Sequence, residues 1–243
     1  MSNVLAIDVG YGHVKWVAIG PSGETKRGIF PSVAPITTRE RTVETSGLAG
    51  HRTVTVNVGE HNYVVGHDAY LEADAHFSRP RLSDYSQTDG YRALMLGAMV
   101  FSGMREIDQL VVGLPLTTLT TYHAQLQEQY TGEHTIGASY AKRKVDVNVG
   151  NVTVTSQPAG AMLHAAAIDP SLRKKTNLVI DMGYFTMDFL MCDGLRPYYA
   201  RSGAIQGGMS GYYDHLGGMV VDQLAKAGVG KSLGSTTSAW RRP

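Results

Sequence analysis

The alternation of apolar and polar positions divides the chain into short strands, a few helices and turns marked by glycine or proline. Val4 to Ile7 is too short for a helix and leads toward Gly10 and Gly12, which predicts a buried strand. Val14 to Ile19 alternates as its antiparallel partner, and Gly20-Pro21-Ser22-Gly23 turns the chain into another short strand. Phe30-Pro31-Ser32-Val33-Ala34-Pro35 must be extended, because residues before proline avoid the α region. Ile36 to Arg52 reads as a surface loop. Val54–Val58 and Tyr63–Val65 form a hairpin around Gly59 to Asn62, and Asp68 to Ser86 shows no period.

A largely buried helix is predicted within residues 90–102, then a strand from Ile107 to Gly113 and a helix from Thr121 to Tyr130 with one polar face. Val145–Val149 and Val152–Thr155 read as a second hairpin around Gly150-Asn151. Gln157-Pro158-Ala159-Gly160 opens a helix of small residues, where proline in the first turn loses nothing by lacking an N–H. Asp169-Pro170 ends it and supplies the domain boundary. Strands follow at Asn177–Ile180, Met187–Met191 and Leu195–Ala200. Gly207 to Gly211 then precedes a helix carrying Tyr213, Leu216, Val220, Val221 and Leu224. The organisation read this way is a first domain over 1–168, a second over 169–228 and a disordered tail over 229–243, where apolar periodicity stops.

One phrase occurs twice. Ile7-Asp8-Val9-Gly10-Tyr11 matches Ile180-Asp181-Met182-Gly183-Tyr184 at four of its five positions, each time at the end of an apolar run. A strand that ends in aspartate and passes through glycines into another strand exposes backbone N–H groups with no side chain in the way, a concavity suited to phosphate oxygens. The carboxylate repels phosphate unless a cation lies between them. Mg²⁺, which keeps waters and takes few carboxylates while bridging phosphates, meets that need. Lys15 adds a positive charge beside the first copy, and Thr186 and Asp188 add a hydroxyl and a carboxylate beside the second. A single Asp-Gly pair is most often only a turn; two matching copies flanking a Gln-Pro helix start point to a two-sided clamp.

Composition narrows the class. The chain has 243 residues, 43% hydrophobic and 18% charged, with a formal net charge of +1. That balance fits a folded domain or two and argues against direct binding of nucleic acid through a dominant positive field. The single cysteine, Cys192, allows no internal disulfide and suits a reducing compartment. With no secretory signal and no run approaching the roughly 20 apolar residues of a membrane span, a cytoplasmic protein without membrane contact is expected.

The ordered set Asp8-Val-Gly-Tyr-Gly, Gln157-Pro-Ala-Gly and Asp181-Met-Gly-Tyr-Phe-Thr resembles the actin/hexokinase/Hsp70 nucleotide-binding superfamily. Within it the chain is most similar to the plasmid-partition actins of the ParM/StbA group, from residue 4 to about 225. Phe30-Pro-Ser-Val-Ala, Tyr63-Val-Val-Gly-His and Val111-Val-Gly-Leu-Pro-Leu add to the likeness. The resemblance implies an α/β, actin-like (ribonuclease H-like) two-domain ATPase fold, with mixed sheets flanked by helices. It implies ATP, with GTP as the alternative, bound with Mg²⁺. By this carry-over Asp8 and Asp181 hold Mg²⁺ through water, and Gly10, Tyr11, Gly12, Gly183, Tyr184 and Thr186 line the phosphates. Gln157 orients the attacking water, with Asp181 as its catalytic companion. The implied partners are further copies of the chain in a filament and a DNA-binding adaptor at a plasmid partition site. The family continues into a glycine-rich adenosine motif and a returning helix that this sequence lacks, so a C-terminally truncated chain with an incomplete second domain is expected. A scaffold that hydrolyses poorly, or a phosphotransferase like the sugar kinases, is the alternative.

Other signals fail on spacing. Gly228-Val-Gly230-Lys231-Ser232 lacks the earlier glycine of a P-loop, since position 225 is alanine. Ser210 lacks the spacing of a nucleophile elbow. The nine histidines show no zinc-ligand pattern, and Met95, Met99 and Met104 read as core filler.

Overall fold

The computed structural model describes residues 2–38, 52–73, 84–139, 141 and 144–227. The expected tail, and most of the expected loop before Arg52, lie outside these residues. β1 (Val4–Val9) and β2 (His13–Ile19) form the predicted antiparallel hairpin, and β3 (Thr25–Pro31) pairs with β2. Strict alternation buries Leu5, Ile7 and Val9 opposite Ala18, Trp16 and Val14. Asp8 and Lys15 therefore share the other face. β4 (Ile36–Thr37), β5 (Thr53–Val58) and β6 (His61–Gly66) make a small separate sheet in the order β4-β6-β5.

Helix α1 (Asp89–Ser102) fills the space between the two sheets. Thr88 caps its first turn by accepting from the Tyr91 N–H, a contact typically worth about 1 kcal/mol. Gly103 ends it at φ +75°, a conformation that a side chain would strain. Gly97 lets β6 approach closely, since a Cβ there would fall 2.4 Å from Val65. Tyr91, Leu94, Met95 and Met99 are fully buried in the main core, each such side chain contributing about 1.5–3 kcal/mol.

β7 (Glu106–Leu114) lies parallel to β1, and α2 (Leu116–Tyr130) follows it. The helix starts five residues earlier than its polar face predicts, directly after Pro115. β8 (Gly132–Ile136), which the sequence pattern missed, forms one edge, and the sheet, completed by β9 (Val145–Ser156), runs β3-β2-β1-β7-β9-β8.

The expected hairpin around Gly150-Asn151 does not exist. Residues 145–156 are one strand, β9 (Val145–Ser156), that changes partners along its length. Its first part pairs antiparallel with β8 and the rest parallel with β7. Asn151 pairs with Gln109 and donates to its side chain at 2.7 Å, while the Gly150 α-carbon lies against the backbone of β7. Ladder bonds to β7 outweigh the local turn preference of Gly-Asn.

α3 (Gln157–Ile168) opens with proline as predicted. β10 (Thr176–Met182) and β11 (Thr186–Asp193) then repeat the β1–β2 hairpin in a second sheet. The expected strand over Leu195–Ala200 shrinks to β12 (Arg196–Pro197) and gives way to a 3-10 turn at Tyr199–Arg201. β13 (Gly203–Gln206) pairs with β11 instead. Met162 and Ala166 of α3 pack on Leu190 and Cys192, and this small core joins the second sheet to α3 and to Leu116 at the start of α2. α4 (Met209–Lys226) closes the described chain. No helix among the described residues is long and apolar enough to cross a membrane.

Candidate functional site

Both Asp-Gly turns open on one cavity of about 770 Å³. Ten of the candidate residues read from the sequence line it, Asp8, Gly10, Tyr11, Gly12, Lys15, Gln157, Asp181, Gly183, Tyr184 and Thr186, and Asp188 does not.

The first turn is closed by the Gly10 N–H donating to the His13 carbonyl at 3.1 Å. Ser32, which lies outside the cavity wall, takes both neighbouring carbonyls. Its hydroxyl donates to Gly10 at 2.5 Å and its N–H to Gly12 at 3.0 Å. The second turn is treated alike. The carbonyl of Gly183 accepts from the Met209 N–H, that of Tyr184 from Ser210, and that of Phe185 from Gly207 and Gly208. In both turns, carbonyl oxygens of the two glycines or their neighbours that would repel an anion are engaged by protein donors, at Gly10, Gly12, Gly183, Tyr184 and Phe185. Glycine is required for this closeness: a Cβ on Gly183 would sit 2.8 Å from the Thr186 carbonyl, and one on Gly208 only 2.4 Å from that of Gly183.

The turns also touch each other. The Tyr11 ring stacks on Tyr85 at 4.7 Å and meets Phe185 at 5.0 Å, while Tyr184 lies over Gly12. Burial, with Asp84 nearby, pushes the Tyr11 phenol up to about 12. Tyr11 is thus a packing residue as well as a wall of the cavity.

Asp8 stands at the centre. Its Oδ1 accepts from Gln157 Nε2 at 2.6 Å, and its Oδ2 lies 3.6 Å from Lys15 Nζ. Gly113 makes room for this meeting, since a Cβ there would fall 3.1 Å from the Gln157 side chain. Burial raises the Asp8 carboxyl above its usual range, and the Asp181 charge adds to the rise while Lys15 and Gln157 oppose it. Two carboxylates that repel across a cavity form a place for a cation. Among the described residues no group of three or more His, Cys, Asp or Glu side chains is positioned to hold a metal alone.

Asp188 takes a different part from the one its type suggests. It is 2% exposed, accepts the Leu116 N–H at the start of α2 at 2.9 Å and the Thr186 hydroxyl at 3.1 Å. It fastens the second sheet to a helix of the first. Burial raises its carboxyl too, the two hydrogen bonds opposing. α4 supplies a wall that no motif announced, through Met209, Tyr213, Asp214, Gly217 and Val221, and α1 supplies Tyr91. Helical spacing of 213, 217 and 221 was the available signal, but it marks a core stripe equally well.

Residues 6–160 match a family model described as the actin-like proteins N-terminal domain, well over half of the chain. The chain belongs to the actin-like proteins. A search of curated proteins found no match. Among solved structures, this actin-like chain is similar to AlfA from B. subtilis plasmid pLS32 in its filament, at 17% identity and TM-score 0.65, covering 93% of this chain and 80% of AlfA. It is also similar to the archaeal actin homologue Ta0583, at 23% identity and TM-score 0.66, covering 92% and 67%. A third is the pSK41 ParM protein in its apo form, at 17% identity and TM-score 0.64, covering 90% and 70%. Ta0583 has been solved with ADP and the AlfA filament with AMPPNP. At these identities the likeness establishes the fold: actin-like, with mixed sheets flanked by helices.

Proposed function

We propose that this actin-like chain binds ATP with Mg²⁺ between the two turns, hydrolyses it, and assembles into filaments that segregate plasmid DNA. The observation that carries the reading is the meeting of Asp8, Asp181 and Gln157 in one cavity whose turn carbonyls are engaged elsewhere. The donor set fits Mg²⁺. Two carboxylates without a third protein ligand suit an ion that keeps its waters and shares phosphate oxygens. Asp8 and Asp181 hold it through water; when bound, it offsets charge on the phosphates.

Gly10, Tyr11, Gly12, Gly183 and Tyr184 supply the walls that fit the phosphate chain, and Thr186, whose hydroxyl donates to Asp188, adds to them. Phosphoryl transfer asks chiefly for position and charge stabilisation. Lys15 turns from Asp8 to the phosphates and contributes positive charge. Gln157, anchored at the first turn of α3, orients the attacking water through its amide. The known complexes of structurally similar proteins with adenine nucleotides favour ATP over GTP. Filament structures of such proteins support self-assembly, and the near-neutral charge favours reaching DNA through an adaptor protein.

Calorimetric titration with ATP, with and without Mg²⁺, tests the clamp: tight binding should require Mg²⁺ in the native chain and lose that requirement in Asp181→Asn. Light scattering tests assembly. No rise in scattering with Mg²⁺ and ATP at any protein concentration removes the filament from the proposal.

A further inference from the structure

Among the described residues, three buried side-chain oxygens have no hydrogen-bond partner: the hydroxyls of Tyr91, Tyr130 and Ser156. Tyr91 alone lines the cavity. Its side chain is 1% exposed, and its ring is held edge-on by Tyr85 at 5.5 Å, which in turn stacks on Tyr11 of the first turn. A buried phenol without a partner forfeits the hydrogen bond it made to water in the unfolded chain, so such a group needs an explanation. Phenylalanine would fill the same place at no such cost.

The other half of the imbalance lies at Asp8. Its two oxygens are occupied by Gln157 and Lys15. The function proposed above needs both of these elsewhere, the amide on the attacking water and the ammonium on the phosphates. Asp8 then loses its protein donors on both oxygens while its charge must stay fixed beside the ion. The Tyr91 phenol and the Asp8 carboxylate line the same cavity.

We propose that Tyr91 is a positioning residue of the cleft, whose hydroxyl donates to the Asp8 carboxylate, directly or across one water, once Gln157 and Lys15 have turned to the nucleotide. This rests on the reading of the cavity as a Mg²⁺–nucleotide site. One hydrogen bond would satisfy the orphaned phenol and replace what Asp8 gives up. It would also lower the cost of exchanging partners when ligand arrives. The aromatic series Tyr91–Tyr85–Tyr11 links the donor's ring to the turn itself.

The test is Tyr91→Phe in the full chain, a change that keeps the ring and the packing. The thermal midpoint of the ligand-free protein should be unchanged or higher. The Mg²⁺ concentration giving half-maximal ATP binding, read by calorimetry, should rise about 3- to 10-fold, the loss of one ordinary hydrogen bond. ATP binding in EDTA should not change. A Mg²⁺ dependence superimposable on that of the native chain overturns the proposal. So does a lowered midpoint with unaltered Mg²⁺ dependence, which would make Tyr91 a core residue only. If the native chain shows no Mg²⁺-dependent ATP binding at all, the underlying reading falls, and this inference with it.

Discussion

Replacing Asp188 by alanine should loosen the junction of the two sheets, and replacing it by asparagine should not. The carboxylate is buried and holds the Leu116 N–H at the N-terminus of α2. Alanine leaves that partly buried donor without an acceptor, at a cost of about 1–3 kcal/mol. It also removes a negative charge from a helix N-terminus, worth up to about 1 kcal/mol in ordinary geometry. Relief from burying the charge offsets part of this, leaving a net loss of about 1–3 kcal/mol. For a chain of this size that lowers the thermal midpoint by roughly 3–10 °C.

Asparagine keeps an oxygen for Leu116 and turns its amide toward the Thr186 hydroxyl, which can accept. Its stability at neutral pH should fall within about 1 kcal/mol of the native chain, or exceed it. The pH dependence has a definite sign. Burial raises the folded-state Asp188 carboxyl above 3.8, so the folded chain binds the proton more tightly than the unfolded one. This group therefore costs stability above its raised folded value and returns it as pH falls toward 3.8. The advantage of Asp188→Asn over the native chain should be largest at neutral pH and shrink on acidification. Urea unfolding at several pH values measures all of this. An alanine variant that melts within 1 °C of the native chain, or an asparagine variant that falls as far as alanine, refutes the assignment of Asp188 as the fastening of α2.

Three further outcomes are expected. Gln157→Ala should slow ATP hydrolysis about 10²-fold, the scale of misplacing a reacting group by about 1 Å, while leaving the ATP dissociation constant within a few-fold; an unchanged turnover removes Gln157 from the water-orienting role. Gly208→Ala should detach the start of α4, because its Cβ would press on the backbone carbonyls of Gly183 and Thr186, at a cost of about 1–3 kcal/mol. Gly211→Ala, whose Cβ meets nothing, should be neutral or stabilising, and limited proteolysis across residues 207–212 separates the two. Cys192 is 1% exposed against α3, and burial raises its thiol, so a thiol reagent should modify it only as fast as the second sheet opens. Labelling at the rate of an exposed thiol in native buffer contradicts that packing.

Much of the site is legible in the amino-acid sequence because its parts are local. An apolar run ending in Asp-x-Gly makes a strand and an open turn wherever it occurs, and two copies announce the two sides of the cavity. Gln157 is legible through its neighbour, since Pro158 marks a helix start and so places the amide at that helix's first turn. The glycines are legible as turn formers, though the reason for Gly113 and Gly208 is not: each admits a partner from a distant part of the chain.

The sequence by itself determined the hairpins of β1–β2, β5–β6 and β10–β11, the start of α3, and ten of the residues that line the cavity. These depend on side-chain alternation and turn chemistry within about a dozen residues. The tertiary structure alone decided that Gly150-Asn151 runs straight through a strand, because the bonds that hold it there come from β7. It alone turned Asp188 from a candidate ligand into a fastening for α2, and placed Asp8 between Gln157 and Lys15. It alone brought Tyr91 beneath the turn. A carboxylate or a phenol has the same chemistry everywhere in a sequence; its role depends on which donor, acceptor or charge the fold sets beside it, and that partner is rarely a sequence neighbour.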